Sequence, residues 1–95
     1  MSAYFVVNIE VTDAKGFEDY RQQVVEVLEA YDGKYLVRGG KFEVLEGQWN
    51  PNLMVVVEFP SMERALEFYH SERYAPLLKL RLDSTNSDLV LVDGT

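Results

Sequence analysis

The sequence predicts one α+β domain, a four-stranded antiparallel sheet with its helices on one face. Three observations predict it. Apolar residues alternate with period two from Tyr4 to Val11, helical spacing takes over directly afterwards, and the two modes then recur in the order β-α-β-β-α-β. A chain of 95 residues has the length of a single domain, so residues 1–95 are read as one unit.

The first strand, Tyr4 to Val11, is rich in β-branched and aromatic residues. Thr12-Asp13 follows as a helix start, with Asp13 the better N-cap. Phe17, Tyr20, Val24, Val27, Leu28 and Tyr31 then continue at helical spacing. This helix is expected to end at Asp32-Gly33, with Gly33 in the left-handed conformation. Lys34 to Glu46 reads as a second strand, interrupted at Gly39-Gly40 by a bulge or a sharp bend. Gly47 to Asn52 is turn material around Asn50-Pro51, and Leu53 to Phe59 is a third strand. Ser61 caps a second helix whose inner face carries Met62, Ala65, Leu66 and Tyr69. Pro76 cannot lie deep inside a helix, so a separate helix starts near Tyr74 or Ala75 and carries Leu77, Leu78, Leu80 and Leu82. Asp88 to Asp93 is the last strand. The order is the split βαβ arrangement of ferredoxin-like domains.

Composition removes several classes of function. Sixteen acids against nine bases give a net charge of −7, which repels a phosphate backbone, so no nucleic-acid partner is expected. No apolar run approaches the roughly 20 residues of a membrane helix, and no membrane partner is expected. The opening MSAYFVVNIEV lacks a basic region and a cleavage site and reads as a strand, not a signal peptide. There is no cysteine, which excludes disulfides and thiolate chemistry and fits a reducing, cytoplasmic location. With one histidine and scattered carboxylates, neither a metal site nor any other cofactor is expected. No phosphate loop, nucleophile elbow or dinucleotide glycine pattern is present.

Strand parity predicts a partner. Phe5, Val7, Ile9 and Val11 make one apolar face, as do Leu53, Val55, Val57 and Phe59. The opposite face, which would be polar if open to water, carries Tyr4, Val6, Met54 and Val56. Leaving these side chains wet forfeits on the order of 1.5–3 kcal/mol each. A second copy of the chain covers them most simply, since an isologous contact uses the same patch twice. A homodimer through the sheet face is therefore expected, with Asn8, Glu10 and Glu58 at a lumen or its mouth.

The stretches YFVVNIEVTD, YLVRGG and EVLEG, the Trp49-Asn50-Pro51 turn, VVVEFPSMERALEFY and SERYAPLLKLR resemble the family known as domain of unknown function 1330. The likeness spans nearly the whole chain, with Glu72 standing where proline is expected. It implies the dimeric α+β barrel superfamily, which includes cofactor-free monooxygenases, small isomerases, haem enzymes and sensing domains. It implies architecture and no particular chemistry.

Candidate site residues are few. Glu58 ends an apolar run and points by parity to the outer face, and Arg38 falls on the neighbouring strand of a hairpin. Asn8, Arg38 and Glu58 are thus either a cluster that holds a small polar or anionic ligand or, for Arg38 and Glu58, an ion pair that fixes the register. His70 is either a general base or haem ligand, or a solvated histidine at a helix end. Trp49 either lids a pocket or packs across the dimer. Tyr20, Tyr31, Tyr35, Tyr69 and Tyr74 read mostly as core with wet hydroxyls. The leading expectation is a small-molecule enzyme or binder using the space between sheet and helices, with Arg38 orienting an acidic group and Glu58 or His70 moving a proton. A metabolite-sensing module and a purely structural dimer are the alternatives.

Overall fold

The computed structural model describes all 95 residues. Its elements are β1 (Ala3–Val11), α1 (Ala14–Ala30), β2 (Lys34–Arg38), β3 (Leu53–Phe59), α2 (Met62–Tyr69), α3 (Ala75–Ser84) and β4 (Thr85–Asp93). The sheet order is β2-β3-β1-β4 with every pair antiparallel, the ferredoxin-like topology expected. No helix is long and apolar enough to cross a membrane.

Alternation does what the sequence promises on the helix side. Phe5, Val7 and Ile9 of β1 and Val57 and Phe59 of β3 are buried against the helices. Phe5 meets Phe59 edge to face with ring centroids 5.3 Å apart. From α1, Phe17, Tyr20, Val24, Val27 and Leu28 enter the same core at the predicted spacing. The Asp13 carboxylate caps the helix by accepting from the Gly16 backbone N–H, and Ser61 Oγ accepts from Arg64 N–H at the start of α2.

Several boundaries differ from expectation, each for a local reason. The left-handed residue after α1 is Asp32, with φ 67°, and not Gly33. Gly33 donates its N–H to the Leu28 carbonyl, and a Cβ there would stand 2.6 Å from Leu28 Cδ2, so close approach is what requires glycine. β2 stops at Arg38 instead of running to Glu46, because Arg38 already pairs with Val55 and β3 begins only two residues earlier. The register shift falls between Tyr35 and Val37, not at Gly39-Gly40. In α2, Phe68 is buried beside Ala65 while Leu66 is exposed. In α3 the buried face is Leu77, Arg81 and Ser84, and Leu82 is exposed. β4 begins at Thr85, three residues earlier than expected, directly out of α3.

Candidate functional site

A cavity of about 190 Å³ lies between the inner face of the sheet and the helices. Its walls are mostly aromatic and aliphatic, and the charged groups among them are three arginines, Arg21, Arg38 and Arg81. No acid, histidine or lysine lines it. In a chain carrying seven net negative charges, that arrangement is a local reversal of sign.

Arg81 occupies the inner face of α3 because it follows Leu77 by one turn and precedes Ser84 by another. It is 3% exposed and takes part in no ion pair. Its Nε donates to Tyr74 Oη at 3.4 Å and its Nη1 to Ser87 Oγ at 2.6 Å. Nη2 makes no hydrogen bond within the protein. No sealed side-chain polar atom lacks a partner, so this nitrogen is not wholly enclosed by protein, and Arg81 is one of the residues lining the cavity. Burial works against the charge, the neighbouring Tyr74 and Tyr20 oxygens outweigh it, and the guanidinium is held firmly protonated.

Tyr20 and Tyr74 share a hydrogen bond of 2.9 Å, so α1 and the start of α3 meet at two buried phenols beside Arg81. Burial, and then the Tyr74 oxygen, push the Tyr20 phenol far above its ordinary value. Burial also raises Tyr35, against the pull of Arg38, which stacks 4.6 Å over the Tyr35 ring. Arg38 takes part in no ion pair, while Arg21 reaches Glu18 at 3.8 Å. Both are exposed at their outer ends, and together with Gly39 they form the rim of the cavity on the α1–β2 side. Gly39 has φ 75°, and a Cβ there would run into Leu53 Cδ1.

The structure does not bring the expected cluster together. Arg38 pairs with Val55 and belongs to the inner face, whereas Glu58 lies on the outer face opposite Tyr4 and Lys34. The register shift at Leu36 is the reason, because one extra residue turns every later side chain of β2 to the other face. Glu58 accepts from Tyr4 Oη at 3.3 Å and has no arginine partner. Asn8, also on the outer face, accepts from the Asn52 backbone N–H through Oδ1 at 2.8 Å. His70 is the exposed C-cap of α2, edge-on to Tyr69, and lies outside the cavity. Trp49 is 59% exposed in the segment between β2 and β3, also away from it. Of the candidates only Arg38 is a cavity residue. Arg81 was missed because four leucines surround it in α3. The signal that finds it is the i, i+4, i+7 row Leu77, Arg81, Ser84.

The outer face remains apolar and uncovered. Tyr4, Val6, Met54 and Val56 lie on it as expected and are half-buried within the single chain, and Val37, Val90 and Val92 extend the strip to both neighbouring strands. Residues 39–52 form no strand and expose Phe42, Val44, Leu45 and Trp49.

Fold and cavity together define a ferredoxin-like α+β protein whose sheet and helices enclose a cationic, otherwise apolar space. The chain belongs to the family described as Domain of unknown function (DUF1330), whose model matches residues 2–95. No curated protein matches it. Among solved structures it is similar to the RPA0582 protein of unknown function from Rhodopseudomonas palustris, at 17% identity and TM-score 0.81, covering 99% of this chain and 82% of that one. It is also similar to SnoaB, a cofactor-independent oxygenase from Streptomyces nogalater, at 12% identity and TM-score 0.68, covering 99% and 93%. A putative antibiotic biosynthesis monooxygenase from Nitrosomonas europaea matches at 11% identity and TM-score 0.54, covering 97% and 89%. At these identities the likeness is one of fold.

Proposed function

We propose that this protein binds a small organic anion in the cavity between sheet and helices, and that it does so as a homodimer joined through the outer sheet face. The observation that carries the first half is Arg81, a buried guanidinium without a carboxylate partner, opening on a space that contains no acid. Withdrawing such an ion from water costs on the order of several kcal/mol, which a bound anion offsets. A charge kept at that cost has a use. The apolar strip supports the second half, since an isologous contact covers both copies at once.

The chemistry available in the cavity is binding, orientation and stabilisation of negative charge. Glu58 and His70, the expected proton carriers, lie elsewhere, and the phenols of Tyr20 and Tyr35 are held protonated. A general base is therefore missing from the walls. A catalytic reading is favoured only for a ligand whose own anion is the reactive species, with Arg81 stabilising it. The fold shared with a cofactor-independent oxygenase is compatible with that form of chemistry.

A thermal-shift panel of small carboxylates against their neutral amides tests the binding claim. A ligand at 100 times its Kd stabilises by about 2.7 kcal/mol, which raises Tm by roughly 10 °C or more in a domain of this size. Carboxylates should stabilise where amides do not, and Arg81→Met should abolish the difference. Equal responses to acid and amide would remove the claim. Light scattering tests the dimer: a monomer at micromolar concentration would end that half of the proposal, and Val56→Asp should weaken association sharply.

A further inference from the structure

We infer that the ligand is a one-ring organic acid, bound as its anion with the oxygen against Arg81, Tyr74 and Tyr20 and the ring among the apolar walls. The inference rests on the anion-binding reading and narrows it in two ways, size and charge state.

Size comes from the volume. An apolar cavity of about 150 Å³ holds one benzene molecule. The present cavity, at about 190 Å³, holds one ring with small polar substituents within its walls. The walls suit a ring, with Phe17 and Phe68 from the helices and Phe5, Val7, Val55 and Val57 from the sheet. A short aliphatic acid would leave this surface in contact with empty space.

The charge state comes from counting donors. Arg81 Nη2 is unspent. Between Tyr20 and Tyr74 there are two phenol protons and one shared hydrogen bond, so one proton remains to be given whichever way that bond runs. Tyr74 Oη is already occupied by Arg81 Nε. The only side-chain acceptors along the walls are tyrosine hydroxyls, each bringing a donor of its own. The inner end of the cavity has donors in surplus. A protonated carboxylic acid or a phenol would add a further donor, while its anion brings acceptors alone. The guanidinium then favours the ionised ligand further, and an acid beside an arginine ionises about one to three pH units lower than in water.

4-Nitrophenol tests the charge state on the purified protein, because its anion alone is yellow. With the protein at saturating concentration, the bound dye should ionise at least one pH unit below the free dye, a tenfold preference for the anion. Arg81→Met should remove the preference, and Tyr20→Phe should reduce it if Arg81→Met does not fold. Bound dye that ionises at its free value, or higher, overturns the inference. The ring is tested by comparing benzoate with propionate: benzoate should bind at least tenfold tighter, and equal affinity removes the ring while leaving anion binding intact. If neither acid nor dye binds, the anion-binding reading falls with it.

Discussion

On the helix side of the sheet Phe5, Val7, Ile9 and Val57 are all buried, while on the opposite side of the same strands Val37, Val90 and Val92 are 41%, 56% and 46% exposed. Both faces are apolar, yet their polar residues behave oppositely. Outside, Glu58 and Asn8 have found acceptable partners in Tyr4 and Asn52. Inside, Arg81 is 3% exposed, with its Nη2 donors unspent. On the function proposed above, a second copy covers the outer face and a small anion pairs with the inner one.

The largest expected effect is at the core of the inner face. Phe59 is fully buried between Phe5 and Phe68, and Phe59→Ala should cost about 3–5 kcal/mol in denaturant unfolding. Val90→Ala, on the outer face, should cost about 1 kcal/mol or less in the same experiment at concentrations where the chain is monomeric. Similar losses at the two sites would erase the contrast.

Next comes the rim. Gly39→Ala combines a left-handed backbone with a collision against Leu53 and should destabilise by about 1–3 kcal/mol. Gly40→Ala, with open space around it, serves as the control and should be nearly silent.

A smaller effect is expected in alkali. Tyr20 and Tyr35 are held above the ordinary tyrosine value of about 10 in the fold. The unfolded chain releases those protons first, so stability is complete below about pH 10 and falls as pH rises beyond it. The slope per buried phenol is about 1.4 kcal/mol per pH unit. Unfolding between about pH 9 and pH 11 should show it, and Tyr20→Phe should make the curve shallower. An unchanged slope in Tyr20→Phe would mean that this phenol is not held protonated by burial.

The smallest effect is the coupling between Arg38 and Glu58. They lie on opposite faces, so the losses in Arg38→Met and Glu58→Leu should add within about 0.5 kcal/mol in a double-mutant cycle. A coupling above about 1 kcal/mol would place the two side chains together and contradict the register.

These expectations also mark what the sequence made legible. β1, α1, β3 and the start of α2 follow from period and capping residues, because burial there obeys a fixed repeat. The outer apolar strip was readable from Val6, Met54 and Val56 for the same reason. Arg38, a candidate from the sequence, lines the cavity but from the face opposite to the one expected, since a single irregular residue at Leu36 inverts parity and leaves no compositional trace. Glu58 drew attention through its apolar neighbours, although a hydroxyl across the strand satisfies it. Arg81 and its phenols depend on how α1 and α3 pack together, a tertiary relation that local periodicity reaches only through the row from Leu77 to Ser84.

The most direct test of the central claim is a calorimetric titration of benzoate and benzamide into the wild-type protein and into Arg81→Met at neutral pH. The wild type should bind benzoate at least tenfold more tightly than benzamide, and the folded variant should bind the two alike. Benzoate binding of equal strength in both proteins, with Arg81→Met folded, would contradict it.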